Sequence, residues 1–337
     1  MAKSISTATV PIAAVNPEGT RPTFGSLLGR YYLQLVLILS IVAGIIFIPN
    51  FATSGNFATI LQQASFPGLI ACGMTLLIAT GQFDLSVAGI VAIGGITAAK
   101  ILPSTTILIT VLAVLAVGVA LGIVNGIVVT KMRIPAFIAT LGTFNLYTAI
   151  AFIWANGQVL PINSDNWLGF TNATYFGIPL VVITFAVAAV VVYLVMRRTY
   201  FGRNARGTGS SEPAARMAGL LVDRTKIIAF AITGLLSGVA AIFLSGLFSS
   251  ANPTMAAGIE LNAITIAVVG GTSLRGGSGT LLGTFTAAIF VSLLDDALVL
   301  LQVDSYWQYI AVGGVLIAAL IAGQMRRGAA TEARGAL

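Results

Sequence analysis

Apolar residues run through this chain in blocks of about twenty, separated by short polar segments, and a helix needs a block of that length to cross the bilayer core. The pattern predicts ten membrane segments, near Tyr31–Ile48, Phe57–Thr80, Leu85–Leu102, Ile107–Thr130, Pro135–Ala155, Ile178–Met196, Thr225–Phe248, Leu261–Gly271, Thr280–Leu301 and Tyr306–Gly323. The expected fold is an all-α integral membrane protein: a polar tail over 1–30, one transmembrane domain over 31–325 with a long loop at 197–226, and a tail over 326–337. The first apolar block spans fully and no small-residue cleavage site follows it, which reads as a retained helix rather than a signal peptide. Two segments are weak. Leu85–Leu102 is short and rich in Gly and Ala, and Leu261–Gly271 covers barely half a membrane. Each is either a re-entrant or broken helix, tolerated at that depth only when buried in protein or lining a cavity, or a tilted helix whose ends extend further than the pattern shows.

Small residues predict how the helices meet. Gly118, Gly122 and Gly126 recur every fourth position, as do Gly234 with Gly238 and Gly279 with Gly283, and such spacing makes a flat face that lets backbones approach closely. Pro67 interrupts the second segment and predicts a kink that frees a carbonyl.

Charge fixes the orientation. Of seventeen Lys and Arg residues, all but Lys100 fall in the tails or in alternate connecting segments, with the densest cluster at Arg197, Arg198, Arg203, Arg206, Arg216, Arg224 and Lys226. Basic residues are retained in short cytoplasmic loops, so both termini and the 197–226 loop are expected in the cytoplasm. The opposite loops carry Asp165 and Asp304 instead. A net charge of +7 therefore does not imply nucleic acid; it sits where the chain faces anionic lipid headgroups.

Composition removes most chemistry. With 57% hydrophobic and 8% charged residues, the chain is far drier than a soluble domain, where roughly 25% of residues are charged. There is no histidine and one cysteine, Cys72, inside an apolar run. Imidazole acid–base chemistry, disulfides and thiolate metal sites are excluded together. The stretch Gly270–Thr280 is glycine-rich, but no Gly-Lys-Ser/Thr follows it and no strand precedes it, so a tight turn between packed helices is expected rather than a phosphate loop. No paired nucleophile and base emerges, so no catalytic residue, metal site or cofactor is expected. Energy must come from an ion gradient or from another subunit.

Two features remain. Ser211–Leu220 reads as a short helix, capped by Ser211, with Glu212 and Pro213 in its first turn and Gly219 near its end. Ala214, Met217 and Ala218 share one small apolar face, suited either to a groove on a partner or to lipid headgroups. The intramembrane carboxylates are Asp84, Glu260, Asp295 and Asp296; such charges usually face a cavity or a partner, although Asp84 and Glu260 could lie at interfaces where the cost fades. Asp295 and Asp296 point about 100° apart on a helix, so at least one should face a pore or a protein contact. Asn125, Asn145 and Asn262 are uncharged residues able to bond a hydroxylated solute or a neighbouring helix.

The chain from about Phe51 to Gly323 resembles the permease subunits of ribose-type bacterial ABC sugar importers. The likeness lies in Gly73-Met74-Thr75 leading into Gly81-Gln82-Phe83-Asp84-Leu85-Ser86-Val87, then Asn125-Gly126, then Pro135 to Thr143. It continues through Phe201-Gly202-Arg203 with Glu212–Gly219, Glu260-Leu261-Asn262-Ala263-Ile264, and Gly270–Gly283. The resemblance implies a machine with two permease subunits, alike or paralogous, a cytoplasmic ABC ATPase and a periplasmic sugar-binding protein, in the inner membrane. It also implies that the 197–226 loop couples to the ATPase through Glu212, Ala214, Ala215, Arg216 and Gly219. Asp84, Asn125, Asn145, Glu260, Asn262, Asp295 and Asp296 are the expected pathway residues. The chain departs from the family at Gln82-Phe83, where Gly-Ile is usual, and at Asp295-Asp296-Ala297, where neutral amides are usual. An ion-coupled transporter or a passive channel would need no ATPase partner, and these remain the rival readings.

Overall fold

A computed structural model describes residues 24–304 and positions 306, 307, 310, 313, 314 and 317. The tenth expected segment, Tyr306–Gly323, and both tails fall largely outside the described residues. Helices follow the apolar blocks: α1 (Phe24–Phe47), α2 (Ser54–Ala79), α3 (Val87–Ile101), α4 (Ile107–Lys131), α5 (Ala136–Trp154), α6 (Asp165–Thr171), α7 (Leu180–Arg198), α8 (Tyr200–Ser210), α9 (Glu212–Met217), α10 (Val222–Leu247), α11 (Ile259–Val269) and α12 (Leu281–Leu300). Seven among the described residues are long and apolar enough to cross a membrane: α2, α3 with its 3-10 extension to Ser104, α4, α5, α7, α10 and α12. The apolar part of α1 begins at Tyr31, where the helical dihedrals break (φ −114°, ψ 18°).

The two weak segments resolve differently. The one around α3 reaches 18 residues through its 3-10 turn and qualifies as a span. By contrast α11 has 11 residues, about 16 Å of helix, half a bilayer core. It survives at that length because it packs against α2 and α12.

α2, α3 and α10 form the buried centre, while α4, α5 and α7 turn wide apolar faces outward. A helix apolar all round and exposed on one side is one that lipid covers. The tightest contact joins α4 to α10. A Cβ added at Gly118 would collide with the Gly234 carbonyl, and one at Gly122 with the Phe230 carbonyl. The four-residue glycine spacing therefore does what it predicts: two backbones touch, with no side chain between them.

One end of the bundle gathers the basic residues. There Lys131 at the end of α4 pairs with Asp223 at the start of α10, and Gly277 N–H donates to the Ala79 carbonyl at the end of α2 (3.1 Å). The Gly270–Thr280 segment is a turn between α11 and α12, with Gly271, Gly276 and Gly277 at positive φ. Gly276 lies against Gly209 and Gly81, so this turn, α8 and the end of α2 meet almost backbone to backbone.

The opposite end carries short strands: β1 (Leu160–Pro161), β2 (Thr174–Tyr175), β3 (Ile178–Pro179) and β4 (Ser250–Ala251). β1 pairs antiparallel with β4, with Leu160 opposite Ala251, and β2 with β3. The β1–β4 pair ties the segment after α5 to the segment after α10.

Candidate functional site

The expected site residues separate into three places. The first is α9, at the basic end. Ser211 Oγ accepts from Ala214 N–H (3.4 Å) at its start. At its other end Leu220 N–H donates to Ala215 O and Gly219 N–H to Arg216 O, with Gly219 at φ +78°. That is a Schellman closure, which needs a left-handed residue where glycine stands. Six residues are too few to be helical in water unaided, so these caps and the contacts below define the element.

Ionic contacts seat α9 on α10. Glu212 Oε2 accepts from Lys226 Nζ (2.7 Å), and Glu212 Oε1 accepts from Arg216 Nη2 (2.8 Å). Arg216 Nη2 reaches on to Asp223 Oδ1 (2.6 Å), which leads through Asp223 Oδ2 to Lys131 Nζ (3.4 Å). The hydrogen bond from Lys226, and then that from Arg216, hold the Glu212 carboxyl below the usual glutamate range. Ala215 is buried beneath the helix, whereas Ala214, Ala218 and Gly219 are exposed and Met217 is 84% exposed. The expected small apolar face is therefore presented outward. Of the five residues expected to couple, Ala214 and Gly219 lie on that face or at its end, Ala215 packs inward, and Glu212 and Arg216 hold the helix down.

The second place is the junction of α2 and α3. Asp84 is fully buried in the connecting turn. Its Oδ1 accepts from Ser86 N–H (2.8 Å) and its Oδ2 from Asn125 Nδ2 (3.1 Å). Asn125 Nδ2 also donates to Ser86 Oγ (2.6 Å), and Tyr147 Oη donates to Asn125 Oδ1 (3.0 Å). Asp84 and Asn125 thus join in one network that fastens the start of α3 to the last third of α4 and to the second half of α5.

The third place is a cavity of about 310 Å³ in the half of the bundle away from α9, bounded by α2, α10, α11 and α12. Asn262 and Asp295 line it together with Gln63 and Ser292; the remaining wall is apolar, including Phe66 and Phe248. Of the aspartate pair only Asp295 reaches it. Asp296 turns toward α2, where Asn56 Nδ2 donates to its Oδ2 (2.9 Å). Glu260 sits on α11 beside Ile259, a wall residue, with Oε2 buried and unpaired among the described residues. Asn145 joins none of these groups; it is exposed on α5 and donates to the Leu141 carbonyl one turn back.

Sequence reasoning missed Lys226, Asp223, Ser86, Tyr147, Gln63 and Asn56. A lysine four residues into an apolar helix was the available signal for the first. The others acquire partners only through tertiary packing.

The comparisons agree on a class. The chain is 36% identical over 307 residues to the L-arabinose transport system permease protein of Escherichia coli, covering 89% of this chain and 92% of that one. It is 37% identical over 300 residues to the ribose import permease protein of Escherichia coli (86% and 91%), and 33% identical over 307 residues to the ribose import permease protein of Bacillus subtilis (90% and 93%). No solved structure matches the chain. The family described as the permease component of branched-chain amino acid transport systems matches residues 56–320, and the chain belongs to that family of multi-pass membrane permeases.

Proposed function

We propose that this chain is the transmembrane subunit of an ATP-binding cassette importer in a bacterial inner membrane, forming the pathway for a monosaccharide or similar polyhydroxylated solute. The observation that carries the reading is α9: a short, doubly capped helix, ionically seated and presenting an exposed Met217 face, in a chain whose near relatives are sugar import permeases. Ten spans with both termini and the 197–226 loop in the cytoplasm place α9 where an ATPase can reach it. Asp165 and Asp304 then lie on the outer side with the cavity.

In this account a periplasmic sugar-binding protein delivers solute to the cavity side, and Asn262, Asp295, Gln63 and Ser292 offer it hydrogen bonds. Two ATPase sites closing on ATP move α9, one in each of two permease subunits. The ion pairs carry that motion to the start of α10, a rod of 26 residues, about 39 Å long. The far end of α10, at Leu244–Phe248, forms part of the cavity wall. Motion at one end is thereby felt at the other. Asp84 and Asn125 keep α3, α4 and α5 together as the pathway alternates. ATP hydrolysis belongs to the partner, and this chain needs no catalytic residue.

The test is purification of the tagged chain with its genomically neighbouring ATPase, followed by uptake into proteoliposomes. The reading expects stable co-purification and uptake that requires ATP. Uptake that persists without ATP and stops when an ion gradient is collapsed would instead establish a secondary transporter.

A further inference from the structure

The cavity between α2, α10, α11 and α12 is unbalanced in charge and in hydrogen bonding. Asp295 lines it, and Asp295 Oδ1 is buried with no partner among the described residues. Its helical neighbour Asp296 does not share the deficit, because Asn56 already donates to it. No Lys or Arg lines the wall. A carboxylate is acceptor-only when ionised, and an oxygen buried without a donor favours a ligand that supplies one. Gln63, Asn262 and Ser292 bring amide and hydroxyl groups that both donate and accept, and two features at or beside the wall add acceptors alone. Pro67 has no N–H to give to the Gln63 carbonyl four residues back, and both residues line the same cavity. Glu260, one position from the wall residue Ile259, holds a second buried and unpaired carboxylate oxygen. A cavity whose carboxylate has no cationic partner in the wall is complementary to a ligand that brings donors and positive charge. An ammonium supplies three donors and no acceptor.

Resting on the permease reading above, we propose that Asp295 is a specificity residue for a polyhydroxylated solute bearing a protonated amine, such as an aminosugar, and that the cavity turns away sugar acids and sugar phosphates. The ammonium pairs with Asp295, while Gln63, Asn262 and Ser292 take the hydroxyls. The apolar remainder of the wall, with Phe66 and Phe248, packs the carbon faces of the ring.

The field of the cavity can be measured without knowing the solute. Gln63→Cys places a thiol on the exposed part of the wall, and native Cys72 is fully buried and gives no background. In the full chain in nanodiscs, modification rates are compared for cationic ethylammonium and anionic ethylsulfonate methanethiosulfonates, each divided by its rate with a free small thiol. The inference expects the cationic reagent to be favoured by about tenfold, the preference to survive Asp295→Glu, and Asp295→Asn to remove most of it. Equal preference in the Asp295 and Asp295→Asn backgrounds overturns the proposal even if ATP-driven uptake is intact. In cells, glucosamine should compete with labelled solute for uptake at least tenfold better than glucose or glucuronate, and Asp295→Asn should abolish that margin. A margin unchanged by Asp295→Asn would assign selectivity to the binding protein and overturn a role for Asp295. Absence of ATP-dependent uptake altogether would refute the permease reading, and the thiol ratio would still stand or fall independently.

Discussion

Glu212→Gln isolates the seat of α9, because it keeps the side chain's shape and removes its charge. Glu212 Oε2 lies 2.7 Å from Lys226 Nζ, and the Lys226 side chain is only 8% exposed. Breaking a fully buried ion pair by removing one partner costs about 3–5 kcal/mol. The Glu212 side chain is 40% exposed, so water already screens part of the attraction, and about 1–2 kcal/mol is the appropriate scale. A shift of that size changes a two-state ratio by a factor of about 5–30. α9 has only six residues and no helical stability of its own, so the loss should appear locally. Amide hydrogen exchange of residues 214–220 in the purified chain should accelerate by that factor, with α2 and α10 centres unchanged. Adding Lys226→Met removes the stranded ammonium as well, and should return more than half of the lost protection. Exchange that is unchanged in Glu212→Gln, or additive losses in the double variant, would refute an ionically held α9.

The remaining predictions use other parts of the same physics. Because Glu212 is held below the ordinary glutamate range, its contribution is fully present above the unfolded-state value and is lost as pH falls through the folded one. Protection factors of α9 should therefore be flat from pH 8 to 6 and fall from about pH 4.3 downward; a fall beginning near neutrality would contradict this. Gly118→Val drives a side chain into the backbone of α10 and should cost at least about 1–3 kcal/mol, read as loss of monodisperse protein in detergent. Gly142→Ala on α5 meets nothing within 4 Å and should be neutral or slightly stabilising. Asn125→Leu takes the donor from Asp84 Oδ2 and one of two acceptors from Tyr147, whose hydroxyl keeps the Leu121 carbonyl, at about 1–3 kcal/mol for the carboxylate oxygen left orphaned. Its melting temperature in detergent should fall well below that of the parent and below that of Tyr147→Phe, and an unchanged value would show that the network holds nothing.

Periodicity carried most of the helical architecture, because it reports on the solvent around a helix rather than on its neighbours. Nine of the ten apolar blocks contain helices among the described residues, and seven of these are long enough to cross. The glycine spacing named the α4–α10 contact face, although not which helix met which. Ser211 and Gly219 announced both ends of α9, since caps are local chemistry. Polar pairings inside the bundle were not legible. Asp84 and Asn125 stand 41 positions apart, and Asn56 and Asp296 stand 240 apart. No local pattern records such pairings, because only the packing of four or five helices creates them. The same limit split the Asp295–Asp296 pair: helical geometry required the two to diverge, but only the fold shows that one meets the cavity and the other Asn56.

Sidedness of α9 tests the central claim most directly. Met217→Cys puts an exposed thiol on the proposed docking face, and Cys72 is buried. A membrane-impermeant maleimide should label it in inside-out vesicles and not in intact spheroplasts, and co-expressed ATPase should protect it. Labelling in intact spheroplasts would place α9 outside the cell and contradict both the orientation and the coupling to ATP.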